Sequence, residues 1–227
     1  MATPKEKTIS TEAALEPHGG LPVVAAGAGL DESRAAIIMV HGRNAGPRNI
    51  LDLVPRLGRP GFSYLAPTAS NNTWYPYGFM EETAKNEPGI SSALQVLDQI
   101  VADMVARGVR KDHVMLLGFS QGACLAAQFA VSRADRYGGV IVYSGGLIGP
   151  PGSTWDFSGS FAGTPVFLGC SDIDAHIPKA RVEESAAIFE RMGATVTTRL
   201  YAGMGHLIND DEIVIARTMM DRVQRSG

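Results

Sequence analysis

The segment Gly118-Phe119-Ser120-Gln121-Gly122 sets a serine between two glycines, each two residues away, and is the chain's only G-x-S-x-G. A hydroxyl so placed can act as a nucleophile when the chain passes from strand to helix through a tight, strained turn. With 26 glycines in 227 residues the string alone is modest evidence, since roughly 0.2 such matches arise by chance. Context adds more. The run His113 to Leu117 precedes it, and the strong helix former Ala123 to Ala130 follows it. Such a turn exposes the Ser120 hydroxyl at a helix N-terminus, where the dipole favours a developing negative charge. The alternative is a turn whose serine only caps the helix.

A serine hydroxyl is a poor nucleophile without a base. The chain offers five histidines. His18 falls in the first 20 residues, expected as a poorly ordered tail or an antiparallel edge strand. His113 opens a strand at the far end of the sheet, His41 ends one, and His176 sits in a loop beside Pro178. His206 follows the last expected strand in the glycine-rich stretch Gly203-Met204-Gly205-His206, which lets an imidazole reach over the nucleophile. The base in turn needs a carboxylate to fix its tautomer. Two candidates, Asp172 and Asp174, lie between serine and histidine at the end of the penultimate strand.

The elements that must position these groups follow from periodicity. Continuous apolar runs at Ala35 to Val40, Val114 to Leu117, Val140 to Tyr143 and Pro165 to Leu168 suit strands buried on both faces. Ser63 to Ala66 and Thr195 to Tyr201 are weaker strands. Helical spacing marks Ser91 to Arg107, Lys179 to Met192 and about Asp211 to Val223, the last capped by Asn209 or Asp210. The alternation predicts an α/β fold, a mostly parallel central sheet with helices on both faces. Residues 21–227 are expected to form its single domain. Two long loops, Thr68 to Gly89 and Gly145 to Gly163, leave the carboxyl ends of strands, where open sheets bind ligands.

Composition sets the outer bounds. A net charge of −3 without a Lys/Arg run supplies no footprint for nucleic acid. No apolar stretch is long enough for stable membrane insertion, and the N-terminus leads into no signal-peptide core. Two cysteines, Cys124 and Cys170, are too few for a disulfide framework, so reduced thiols in a cytoplasmic protein are expected.

The sequence resembles the phospholipase/carboxylesterase family of α/β-hydrolases, which includes the acyl-protein thioesterases. The resemblance runs from about residue 30 onward. It rests on His41-Gly42, Gly118-Phe119-Ser120-Gln121-Gly122, Asp174-Ala175-His176-Ile177-Pro178 and Gly203-Met204-Gly205-His206. It implies a Ser120–Asp174–His206 triad, because only Asp174 has the family's following x-x-(Val or Ile)-Pro. It also implies an α/β-hydrolase fold without a large cap domain, and an oxyanion hole made by the backbone N–H groups of Arg43 and Gln121. One departure is Asn44, where the thioesterases usually carry glycine. Arg43 either places a guanidinium at the mouth of the site, favouring an anionic substrate group, or points into solvent.

Trp74, Tyr75, Tyr77 and Phe79 either wall a substrate pocket or seal a long loop onto the core; Trp74 and Tyr75 are the expected substrate-binding pair. The long aromatic loop could also serve a homodimer contact. The expected reaction is hydrolysis of a small-molecule carboxylic ester, with thioesters and lysophospholipids as variants, through an acyl-enzyme. It requires no cofactor or metal, and its rate rises as His206 loses its proton. Competing readings are a metal site at Asp172-x-Asp174-x-His176, a Cys170 nucleophile, a non-catalytic ligand-binding protein and a small serine peptidase.

Overall fold

The computed structural model describes residue 9 and residues 11–225. Seven strands form its sheet: β1 (Val23–Gly27), β2 (Ala35–Val40), β3 (Phe62–Pro67), β4 (Val114–Phe119), β5 (Gly139–Tyr143), β6 (Pro165–Ser171) and β7 (Thr195–Tyr201). Their order is β1-β3-β2-β4-β5-β6-β7, with β1 antiparallel to β3 and every other pair parallel. Helices α1 (Pro47–Leu51), α2 (Val54–Leu57), α3 (Gly89–Ala106), α4 (Gln121–Ser132), α5 (Lys179–Arg191) and α6 (Asp210–Arg225) complete the regular structure, with three short 3-10 turns.

The strands' apolar runs are continuous because alternate residues enter different cores. In β2, Ala36, Ile38 and Val40 join α3, α4 and α5 on one face. Ala35, Ile37 and Met39 join Ile50 of α1, Leu57 of α2 and the apolar stripe of α6 on the other. Val114 and Leu116 against Met115 and Leu117 repeat the division in β4. Strands buried on both faces cannot show polar alternation, which is why runs rather than period two announced them.

Parallel register brings the carboxyl ends together. Val40 of β2 lies beside Gly118 of β4, Phe119 beside Tyr143 of β5, and Ser171 of β6 beside Tyr201 of β7. The segments carrying Arg43, Ser120, Asp174 and His206 leave the sheet at this one edge. His113 precedes β4 at the opposite end, where its Nδ1 lies 3.1 Å from the Arg34 carbonyl.

His18 is not in a loose tail. Residues 11–20 form turns packed on the protein, and His18 is 1% exposed. Ser70 N–H donates to its Nδ1 at 3.0 Å, which leaves Nε2–H to donate to the Trp74 carbonyl at 2.9 Å. An antiparallel edge strand does exist, but it is β1, after residue 20, with Ile9 forming a single bridge to Val23.

The final helix begins with a capping box. Asn209 Oδ1 accepts the Glu212 N–H and Glu212 Oε2 accepts the Asn209 N–H, both at 2.9 Å. Among the described residues no helix is long and apolar enough to cross a membrane.

Candidate active site

Ser120 occupies the turn between β4 and α4 at φ 57° and ψ −123°. The flanking glycines are steric necessities. A Cβ on Gly118 would stand 2.3 Å from the Gly122 carbonyl oxygen, and one on Gly122 would stand 2.2 Å from that of Val40. The turn projects the hydroxyl toward His206, whose Nε2 lies 2.8 Å from Ser120 Oγ. On the other side of the ring, Nδ1 lies 2.7 Å from Asp174 Oδ2. A carboxylate can only accept, so Nδ1 carries the proton and Nε2 accepts from the serine. This line of contacts can pass a proton from hydroxyl to imidazole while the carboxylate holds the ring.

Asp174 is built to stay ionised. Its side chain has no solvent exposure. Burial alone would raise its pKa, but hydrogen bonds from His206 and from the His176 and Ile177 amides outweigh that, and it lies below the ordinary carboxylate value. Asp172 holds backbone instead. Its Oδ1 accepts the Gly203 N–H at 2.8 Å, and Ser171 Oγ accepts the Gly205 N–H at 3.0 Å. These two contacts moor the glycine-rich loop that carries His206. Phe119 packs on the histidine ring with 4.9 Å between centroids. Asp172 and Asp174 therefore serve different partners, and among the described residues no metal-binding group forms. Burial pushes the Cys170 thiol up to about 12, far from a thiolate nucleophile at neutral pH.

The backbone of Gly42 and Arg43 passes close to the serine: a Cβ on Gly42 would lie 3.3 Å from Ser120 Cβ. Gln121 is the first residue of α4, where a helix amide has no intrahelical acceptor. Asn44 adopts φ 59° and donates its N–H to the Asn72 carbonyl at 2.8 Å. Asparagine tolerates this left-handed conformation better than most residues, so the departure from glycine keeps the turn.

The Arg43 side chain is exposed but tied down beside the site. Its guanidinium donates to the carbonyls of Tyr75, Pro76 and Tyr77 at 2.9, 2.7 and 2.5 Å. Gln121 grips the same loop, accepting the Trp74 N–H at 3.0 Å and donating to the Tyr75 carbonyl at 2.8 Å. Trp74 is not a substrate wall. It is fully buried, packed between His18 and His41, and its indole N–H donates to the His41 carbonyl at 2.8 Å. Its size and apolar character serve to seal the loop.

Tyr75 does line the cavity above Ser120. So do Arg43, Phe79, Phe119, His176 and His206, around a volume of about 420 Å³. Sequence reasoning missed the roles of Asp172, Phe119, His176 and the Gln121 side chain. For Gln121 and Arg43 a signal existed: a long loop must satisfy its backbone groups, and long polar side chains beside it are the obvious partners.

Comparison with known proteins agrees with this geometry. The phospholipase/carboxylesterase family model matches residues 25–223. A solved phospholipase/carboxylesterase from Dyadobacter fermentans is 36% identical, with a TM-score of 0.86 over 91% of this chain and 99% of that one. A probable carboxylesterase of Arabidopsis thaliana, SOBER1-like, is 24% identical over 86% of this chain and 81% of its own length. Acyl-protein thioesterase 1 of Eremothecium gossypii is 28% identical, with the match spanning 59% of each chain. The chain belongs to the phospholipase/carboxylesterase family of α/β-hydrolase enzymes.

Proposed function

We propose that the protein hydrolyses small carboxylic esters through an acyl-enzyme on Ser120. The observation that carries this reading is the unbroken line from Ser120 Oγ through His206 to Asp174, at 2.8 and 2.7 Å. His206 takes the serine proton as Oγ attacks the acyl carbon. The N–H groups of Arg43 and Gln121 hold the resulting oxyanion, where preorganised donors typically contribute most to the rate. The imidazolium, oriented by Asp174, returns its proton to the departing alcohol, and water then releases the acid by the same steps in reverse. Thioesters have the same acyl chemistry, which fits the thioesterases among the relatives. The cavity of about 420 Å³ lies toward the small end of ligand pockets, which favours short acyl groups over long lipid chains.

The test is hydrolysis of p-nitrophenyl esters of graded acyl length by the wild type and by Ser120→Ala, both checked for folding. The expected result is turnover that peaks at short acyl chains and falls by at least about 10³-fold in the variant. Turnover that survives the substitution overturns the reading.

A further inference from the structure

Proton delivery fixes where the departing alcohol lies. If His206 protonates the leaving oxygen, the alcohol must pass beside its Nε2. His176 stands against that ring, meeting it edge-on with 4.8 Å between centroids, and lines the same cavity. Its backbone N–H is committed to Asp174, but among the described residues its ring makes no hydrogen bond. The imidazole is an exposed side chain with donor capacity to spare, beside the ring that must protonate the leaving alcohol.

The charge carried by the cavity lining is one-sided. Arg43 is an exposed residue of the cavity lining whose guanidinium is satisfied by neutral carbonyls, so no carboxylate cancels its charge. No carboxylate lines the cavity among the described residues. Asp174, which accepts the His176 N–H, is unexposed and spent on the His206 ring and two amides. An anion entering the cavity meets one cation among the lining residues and a free imidazole donor, while the nearby Asp174 carboxylate is unexposed and already hydrogen-bonded.

We propose that the site selects esters whose leaving alcohol carries a carboxylate, read directly by the His176 ring within the field of Arg43. The selection rests on the hydrolase reading above. The reaction itself is unchanged: the Ser120 Oγ–acyl bond forms, the bond to the alcohol oxygen breaks, and the serine proton reaches that oxygen through His206. The carboxylate is retained on the released alcohol and takes no part in bond breaking.

Two acetates of nearly equal size, 4-carboxyphenyl acetate and 4-methylphenyl acetate, isolate the leaving-group charge while holding the acyl group constant. The quantity to follow is the ratio of their kcat/KM values in wild type, His176→Leu and His176→Gln. Dividing each variant's ratio by that of the wild type removes their different intrinsic reactivity. The expected result is a ratio about tenfold lower in His176→Leu, expressed mainly in KM, with partial recovery in His176→Gln, which keeps an N–H donor. A ratio that does not change, including equal losses on both esters from a disturbed His206, overturns the proposal and leaves the hydrolase reading intact. A folded wild type inert toward both esters overturns the two together.

Discussion

Asp172 and Asp174 show how neighbouring carboxylates come to different work. Asp174 faces the histidine ring and completes the proton path. Asp172, two residues earlier in the turn that follows β6, instead accepts the amide of Gly203. Removing the carboxylate in Asp172→Ala frees one mooring of the His206 loop without touching the reacting atoms. The expected result is a kcat about tenfold lower on p-nitrophenyl acetate with KM little changed, because misplacement of a base by a fraction of an ångström acts on the chemical step. A KM effect at constant kcat would mean that the loop shapes the pocket instead. The serine, the histidine and the pair of aspartates were legible from chain order and from the glycines around them. Which aspartate faced the ring was not, since spacing alone puts both at the strand end. Only the family pattern at Asp174 separated them. Trp74 was misread for a related reason: a large aromatic in a long loop looks the same from sequence whether it faces a ligand or the core.

At the scale of elements, the strands buried on both faces were plain in the sequence, while β1 was not. Val23 to Gly27 is short, rich in small residues and buried mainly at Val23, so it presents neither a run of large apolar residues nor an alternation. Helices α1 and α2 span five and four residues, too short for a helical period to register. Helix α6 was expected at nearly its observed extent, but the cost of its cap was hidden. Burial raises the Glu212 carboxyl to about 7, with Asp211 adding to the rise, and its Oε1 has no hydrogen-bond partner among the described residues. A carboxyl raised from 4.5 in this way gives stability that is fully present below pH 4.5 and lost as pH rises through about 7. The full loss is on the order of 3 kcal/mol. Glu212→Gln keeps an acceptor for the Asn209 N–H and has no charge to bury. Its Tm is expected to match the wild type near pH 4.5 and to exceed it by several degrees at pH 8. A Tm difference that stays constant across this range would contradict the assignment.

Across the whole molecule, two buried histidines work in the opposite sense to Glu212. Burial lowers His18 and His41 below 6.5, so their contribution is fully present above pH 6.5 and declines as pH falls below it. Both rings pack on Trp74, and this cluster ties the N-terminal turns, the end of β2 and the long aromatic loop into one support. Arg43 and Gln121 extend the support to the cavity wall, so the loop that shapes the pocket is held from below by packing and from the side by hydrogen bonds. The sheet edge then supplies serine, carboxylate and histidine from three different strand ends. Their convergence supports Ser120 as the nucleophile. The most direct test is to treat the folded protein with a fluorophosphonate, which traps an activated serine covalently, and to locate the adduct by peptide mass mapping. A single adduct on Ser120, formed at least about 100-fold more slowly in His206→Ala, is the expected result. A folded wild type that stays unmodified, or an adduct on any other residue, would contradict the account.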